Sequence, residues 1–157
     1  MTAVTRVVFD CNTLLQGLAS PGGPAGRCVQ LAIDGKVSLF ASPAVFDELR
    51  DVTSRPKVIA KLGLVAQRVQ EFLEAIEIAA TVLSGVPAFF AYERDPDDAH
   101  YVNLALAADA KLIVSRDTDL LDLMDATKPE AAEFQRRFPL LRILEPVAFL
   151  RDIGELS

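Results

Sequence analysis

Two short apolar runs run into aspartate: Arg6-Val7-Val8-Phe9 leads to Asp10, and Lys111-Leu112-Ile113-Val114-Ser115 leads through Arg116 to Asp117. Runs this short, apolar on both faces, suit strands buried from either side. That is the condition of a parallel sheet covered by helices. The intervening segments carry helical periodicity and helix-start signals, so strands and helices alternate along the chain. The alternation predicts an α/β fold with a central parallel sheet between two helical layers. A length of 157 residues suits a single domain over 1–157, and no repeat, low-complexity tract or linker divides it.

Residues 6–10 read as the first strand. Residues 12–19 form a short helix stopped by Ser20-Pro21-Gly22-Gly23, the most flexible-looking stretch of the chain. A helix over 24–34 closes at Gly35, and 36–41 is the second strand. Ser42-Pro43 supplies an N-cap and a proline at the first helical position, opening a helix over 43–53 with Val45, Phe46, Leu49 and Val52 inward. Arg55-Pro56 ends it. An amphipathic helix over 64–79 presents Val65, Val69, Phe72, Leu73, Ile76 and Ile78 on its apolar side. A short strand at 81–83, a loop over 84–94, a helix from Asp95 to about Asp109 and a strand at 111–115 follow. Residues 119–124 make a helical turn, 125–139 a polar connection, 141–144 a last strand, and Glu145-Pro146 starts a terminal helix.

Composition narrows the function. Hydrophobic residues make up 51% and charged residues 24%, an ordinary globular balance. No apolar run approaches the ~20 residues of a membrane helix, and a strand that begins at residue 6 leaves no room for a signal peptide. Cys11 and Cys28 are too few for a disulfide framework and lack a metal-ligand spacing. Reduced thiols and a cytoplasmic location are therefore expected. A net charge of −6 argues against a nucleic-acid binder held by a broad basic surface. It does not exclude a nuclease, because bound metal neutralises acids locally and then attracts phosphate. Arg27, Arg50, Arg55, Lys57, Lys61 and Arg116 remain as material for a local basic patch.

The acids carry the chemistry. In an open parallel sheet ligands bind beyond the carboxyl ends of the strands, where Asp10 and Asp117 both fall. A carboxylate buried there is costly unless a cation compensates it. Asp10 could instead cap the next helix, but Asn12 could do that equally well; Asn12 is open between capping and a place beside the metal. Glu48 borders the inward stripe of its helix, roughly a quarter turn from its centre at ~100° per residue, and could aim over the sheet edge. Asp95-Pro96-Asp97-Asp98 is an excellent helix start in its own right. Three caps are redundant, however, and Asp98 shares the inward face of Tyr101 and Val102, with Asp97 as the alternative. Asp119 follows Asp117 by two residues and could serve the same centre or a tight turn. His100 reads as an ordinary helix residue, and no triad, P-loop or GxGxxG is present. Clustered carboxylates at one sheet edge point to a hard divalent cation and to metal-assisted hydrolysis, most naturally of a phosphodiester.

In this order these residues resemble PIN-domain nucleases, in particular a prokaryotic branch of toxin components of toxin–antitoxin pairs. The matching pieces are Val7 to Leu15, Ser42-Pro43 through Asp47-Glu48-Leu49, Arg94-Asp95-Pro96-Asp97-Asp98 through Ala107, Ile113 to Leu121, and Glu145 to Leu150. The resemblance implies a PIN-like three-layer α/β/α fold, a Mg²⁺ or Mn²⁺ site and cleavage of single-stranded RNA. It implies catalytic acids at Asp10, Glu48, Asp98 and Asp117, and metal ligands at Asp10, Asp98, Asp117 and Asp119. Asn12, Ser115 and Arg116 would then contact substrate or support the ligands. A homodimer and an antitoxin protein that masks the site are the implied partners. Two departures stand out: Arg116 occupies a place where this branch commonly has Gly, and 125–139 is longer than usual. Competing readings are a PIN-like scaffold that binds without cleaving and, on the echo of Asp10-Cys11-Asn12-Thr13-Leu14, a haloacid-dehalogenase-like phosphatase. The latter expects Asp where Asn12 stands.

Overall fold

A computed structural model describes residues 4–156. Strand β1 (Arg6–Phe9) leads into helix α1 (Cys11–Ala19) and helix α2 (Pro24–Ile33), then β2 (Ser38–Ala41) and α3 (Pro43–Thr53). Helices α4 (Pro56–Leu62) and α5 (Ala66–Ala79) precede β3 (Thr81–Val82). After a long loop, a 3-10 turn at Pro96–Asp98 runs into α6 (Ala99–Ala107), followed by β4 (Leu112–Val114), α7 (Thr118–Leu121) and a second 3-10 turn at Asp122–Met124. The chain ends with α8 (Pro129–Arg137), β5 (Arg142–Leu144) and α9 (Pro146–Asp152).

All pairings are parallel, in the order β3-β2-β1-β4-β5. Successive residues of a strand face opposite sides of the sheet, and Val7 and Val8 are both 0% exposed. Helices therefore cover both faces, giving the expected α/β/α layering. The chain first winds from β1 toward β2 and β3, then returns to place β4 on the other flank of β1. This reversal is a topological switch point, the place where open parallel sheets bind ligands. The register pairs Phe9 with Val114, so the tips of β1 and β4 lie side by side. Among the described residues no helix is long and apolar enough to cross a membrane.

Several elements differ from expectation. Arg55-Pro56 begins α4 as well as ending α3, with Arg55 at the N-cap and proline in the first turn. Helix α4 buries none of its residues and so has no apolar stripe to announce it. Helix α8 occupies much of the supposed polar connection and buries only Ala131 and Phe134, again too few for a periodic signal. In α5 the buried residues are Leu73 and Ile76, whereas Ile78 is 86% exposed and Val65 is also exposed. The Ser20–Gly23 stretch is less free than its composition suggests. Gly23 N–H donates to Ser20 O at 3.0 Å, and a Cβ at Gly26 would sit 2.1 Å from Pro21 O. Only glycine lets α2 start this close to the preceding loop.

Candidate metal centre

Asp10 sits just past β1, buried to 3% exposure. Its backbone N–H donates to Val114 O at 3.2 Å, continuing the β1–β4 ladder by one bond. The carboxylate caps α1, with Oδ1 accepting from Thr13 N at 2.8 Å, while Oδ2 accepts from Ser115 Oγ at 2.5 Å. Capping thus falls to Asp10 and not to Asn12, which is exposed in the first turn of α1. Burial pushes the Asp10 carboxyl above its ordinary range, and the bonds from Ser115 and Thr13 oppose that shift.

Ser115 is the hinge of the β4 tip. Its Oγ donates to Asp10 and accepts from Asp117 N at 2.9 Å. Asp117 in turn caps α7, with Oδ1 accepting from Asp119 N at 2.8 Å. A run of short polar contacts therefore passes from Asp10 through Ser115 and Asp117 to Asp119. Arg116, between them, is exposed and forms no ion pair among the described residues.

From the other side, the turn at Pro96–Asp98 delivers two more acids. Asp95, Asp98, Asp117 and Asp119 each offer one carboxylate oxygen within 4.8 Å of all the others. The Asp95–Asp98 run does start a helical segment, with Asp95 at the N-cap, Pro96 in the first turn and Asp97 and Asp98 after it, but neither Asp95 nor Asp98 makes a side-chain capping bond. Asp97 is exposed, while Asp98 is 9% exposed with Oδ2 buried and unpartnered. Burial first, and then Asp117 and Asp95, push the Asp98 carboxyl up to about 9. A buried carboxyl against two other acids needs either a proton or a cation.

The site residues expected from sequence are thus distributed unevenly. Asp98, Asp117 and Asp119 converge, and Asp10 stands outside their group, linked to Asp117 through Ser115. Asp95, expected only as a cap, joins the convergence. Glu48 is set apart on α3: its Oε2 accepts from Tyr101 Oη at 2.8 Å and lies 3.2 Å from His100 Nε2. Burial acts to raise the Glu48 carboxyl, but the bonds from His100 and Tyr101 outweigh it and hold the group below its usual value. Tyr101 Oη also accepts from Cys11 N at 2.9 Å, so one buried hydroxyl joins α1 to Glu48.

Sequence reasoning missed Arg94, whose Nε lies 2.7 Å from Asp119 Oδ1 and whose Nη2 donates to Asp122. A cation directly preceding the acid run was the available signal. It also gave no role to Tyr92, whose hydroxyl donates to Asp119 O at 2.9 Å. The expected basic patch is partly consumed, since Arg50 pairs with Glu77, Arg55 with Asp51, and Arg27 donates to Glu155 O. Beside the acids runs an apolar groove of ≈ 700 Å³, bordered by Pro43, Val86, Tyr92, Pro96 and His100.

A three-layer α/β/α protein with acids gathered at its switch point is the class that fold and site define. The family model described as PIN domain matches residues 6–119, and the chain belongs to that family, whose members are generally nucleases. The match runs from β1 to the start of α7 and so spans Asp10, Glu48, Asp95, Asp98, Asp117 and Asp119. A relative is an uncharacterized protein of Methanocaldococcus jannaschii, 28% identical over 123 residues, which cover 78% of this chain and 77% of that protein.

Proposed function

We propose that the protein is a divalent-metal-dependent endoribonuclease cleaving single-stranded RNA phosphodiesters, and the toxin of a toxin–antitoxin pair. The observation that carries the reading is the convergence of Asp95, Asp98, Asp117 and Asp119, together with an Asp98 oxygen that is buried and unpartnered. An all-carboxylate donor set fits a hard cation such as Mg²⁺ or Mn²⁺. Asp98, Asp117 and Asp119 would hold it with Asp95, and Asp10 would serve from behind Ser115. Bound there, the cation supplies Lewis-acid activation of water and neutralises charge on the phosphoryl oxygens.

The chain's own residues do the remaining work. Asp10 and Ser115 fix the backbone that presents Asp117. Glu48, held through Oε2 by Tyr101 and His100, would reach the site through water or a second cation. Arg116 and Asn12, both exposed beside strand tips, meet phosphate and sugar. The apolar groove supports a single-stranded substrate, whose unpaired bases have faces to stack on such walls.

Cleavage of a labelled RNA oligonucleotide in Mn²⁺, single-stranded against duplex, tests the reading. Asp10→Asn and Asp98→Asn are each expected to abolish cleavage with the circular dichroism spectrum intact; retained cleavage by either refutes the assignment. A homodimer and a masking antitoxin complete the proposal. Light scattering of the purified chain tests the first, and co-purification with the product of an adjacent gene tests the second.

A further inference from the structure

We infer that Arg94 is a positioning residue for the metal centre: it holds the Asp119 carboxylate at the acidic cluster and so sets affinity for the divalent cation without touching it. This inference rests on the metal reading above. The cluster itself is marked as a ligand site by Asp98, more than nine-tenths buried with Oδ2 unpartnered.

Residue 119 is gripped at three points. Its N–H donates to Asp117 Oδ1 at 2.8 Å, its carbonyl accepts from Tyr92 Oη at 2.9 Å, and its Oδ1 pairs with Arg94 Nε at 2.7 Å. Oδ2 makes no hydrogen bond among the described residues and is the atom left for a ligand. Arg94 is itself anchored at its far end by Asp122, a residue outside the converging group. Two side chains from the 84–94 loop, Tyr92 and Arg94, therefore lock the start of α7 through backbone and carboxylate together.

The physical consequence is twofold. A guanidinium behind Asp119 offsets part of the mutual repulsion of four acids while keeping its charge at every working pH. Its planar fork also fixes the carboxylate's direction, so little ordering is left for the moment of binding. Groups that orient metal ligands from behind typically change metal affinity ~10–100-fold when removed.

The test is Mn²⁺ binding to the full chain, followed by the electron paramagnetic resonance signal of free Mn²⁺ and by calorimetry. Wild type, Arg94→Gln, Arg94→Lys, Asp122→Asn, Asp119→Asn and the Arg94→Gln/Asp119→Asn double variant are compared, with metal-free melting temperature as the folding control. Arg94→Gln is expected to weaken Mn²⁺ binding ~10–100-fold. Arg94→Lys should recover part of the loss, and Asp122→Asn should shift affinity the same way by less. The double variant should bind no more weakly than Asp119→Asn alone, because Arg94 acts through that side chain. Unchanged affinity in a folded Arg94→Gln, or losses that simply add in the double variant, overturn the inference while leaving the metal reading intact. Unchanged Mn²⁺ affinity with weakened RNA binding also overturns it, assigning Arg94 to the substrate. Absence of saturable Mn²⁺ binding by wild type overturns the metal reading and this inference with it.

Discussion

Ser115 Oγ donates to Asp10 Oδ2 at 2.5 Å across 105 residues of sequence. The contact joins the tips of neighbouring strands β1 and β4 and couples the most buried carboxylate of the site to the peptide that presents Asp117. Each end depends on the other: without the hydroxyl, Asp10 loses a donor that opposes its desolvation, and Asp117 N–H loses its acceptor.

Ser115→Ala is accordingly expected to raise the Asp10 carboxyl further and to loosen Asp117. Loss of a hydrogen bond to a charged group costs about 1.5–3 kcal/mol. Urea denaturation should show a destabilisation of that size, and Mn²⁺-dependent cleavage should fall with it. Ser115→Thr, which keeps the hydroxyl, should retain more activity than Ser115→Ala.

Asp98 contributes a pH dependence to the stability of the metal-free protein. Its carboxyl moves from 3.8 to about 9 on folding, through burial first and then Asp117 and Asp95. The native state therefore keeps a proton that the unfolded chain gives up. Stability from this group is complete below about pH 4 and is lost as pH rises toward about 9. The melting temperature in EDTA is expected to fall across that window, and Asp98→Asn should flatten the slope. Added Mn²⁺ should raise the melting temperature most at the alkaline end, where no proton competes.

Tyr101 joins α1 to Glu48 through one buried hydroxyl. Tyr101→Phe leaves the buried Cys11 N–H without its acceptor, at a cost of about 1–3 kcal/mol. Denaturation should register that loss. Glu48 also loses a donor that holds its carboxyl low, so titration of Glu48 by NMR should show its pKa rise in the variant.

Gly26→Ala tests the packing under the Ser20–Gly23 loop. The added methyl would lie 2.1 Å from Pro21 O and 2.6 Å from Ser20 O, both backbone atoms. Relief requires α2 or the loop to shift, at a cost of about 1–3 kcal/mol or more. Gly22→Ala, where nothing lies within 4 Å, should be near neutral by the same measurement.

The sequence alone determined what depends on neighbours in the chain. Apolar runs at 6–9 and 111–115 announced buried parallel strands, Ser42-Pro43 announced α3, and acids at the ends of the runs announced a polar edge. Helices α4 and α8 stayed hidden because they bury little or nothing of their own. Tertiary structure alone decided which acids meet. Setting β4 beside β1, in the register Phe9 with Val114, put Ser115 between Asp10 and Asp117. The turn at Pro96–Asp98 brought in Asp95 and Asp98 and left Asp97 in solvent, and Arg94 found Asp119. Periodicity and capping are written within one turn of helix or one strand, whereas the meeting of side chains a hundred residues apart follows from strand order and crossover, which no local pattern records.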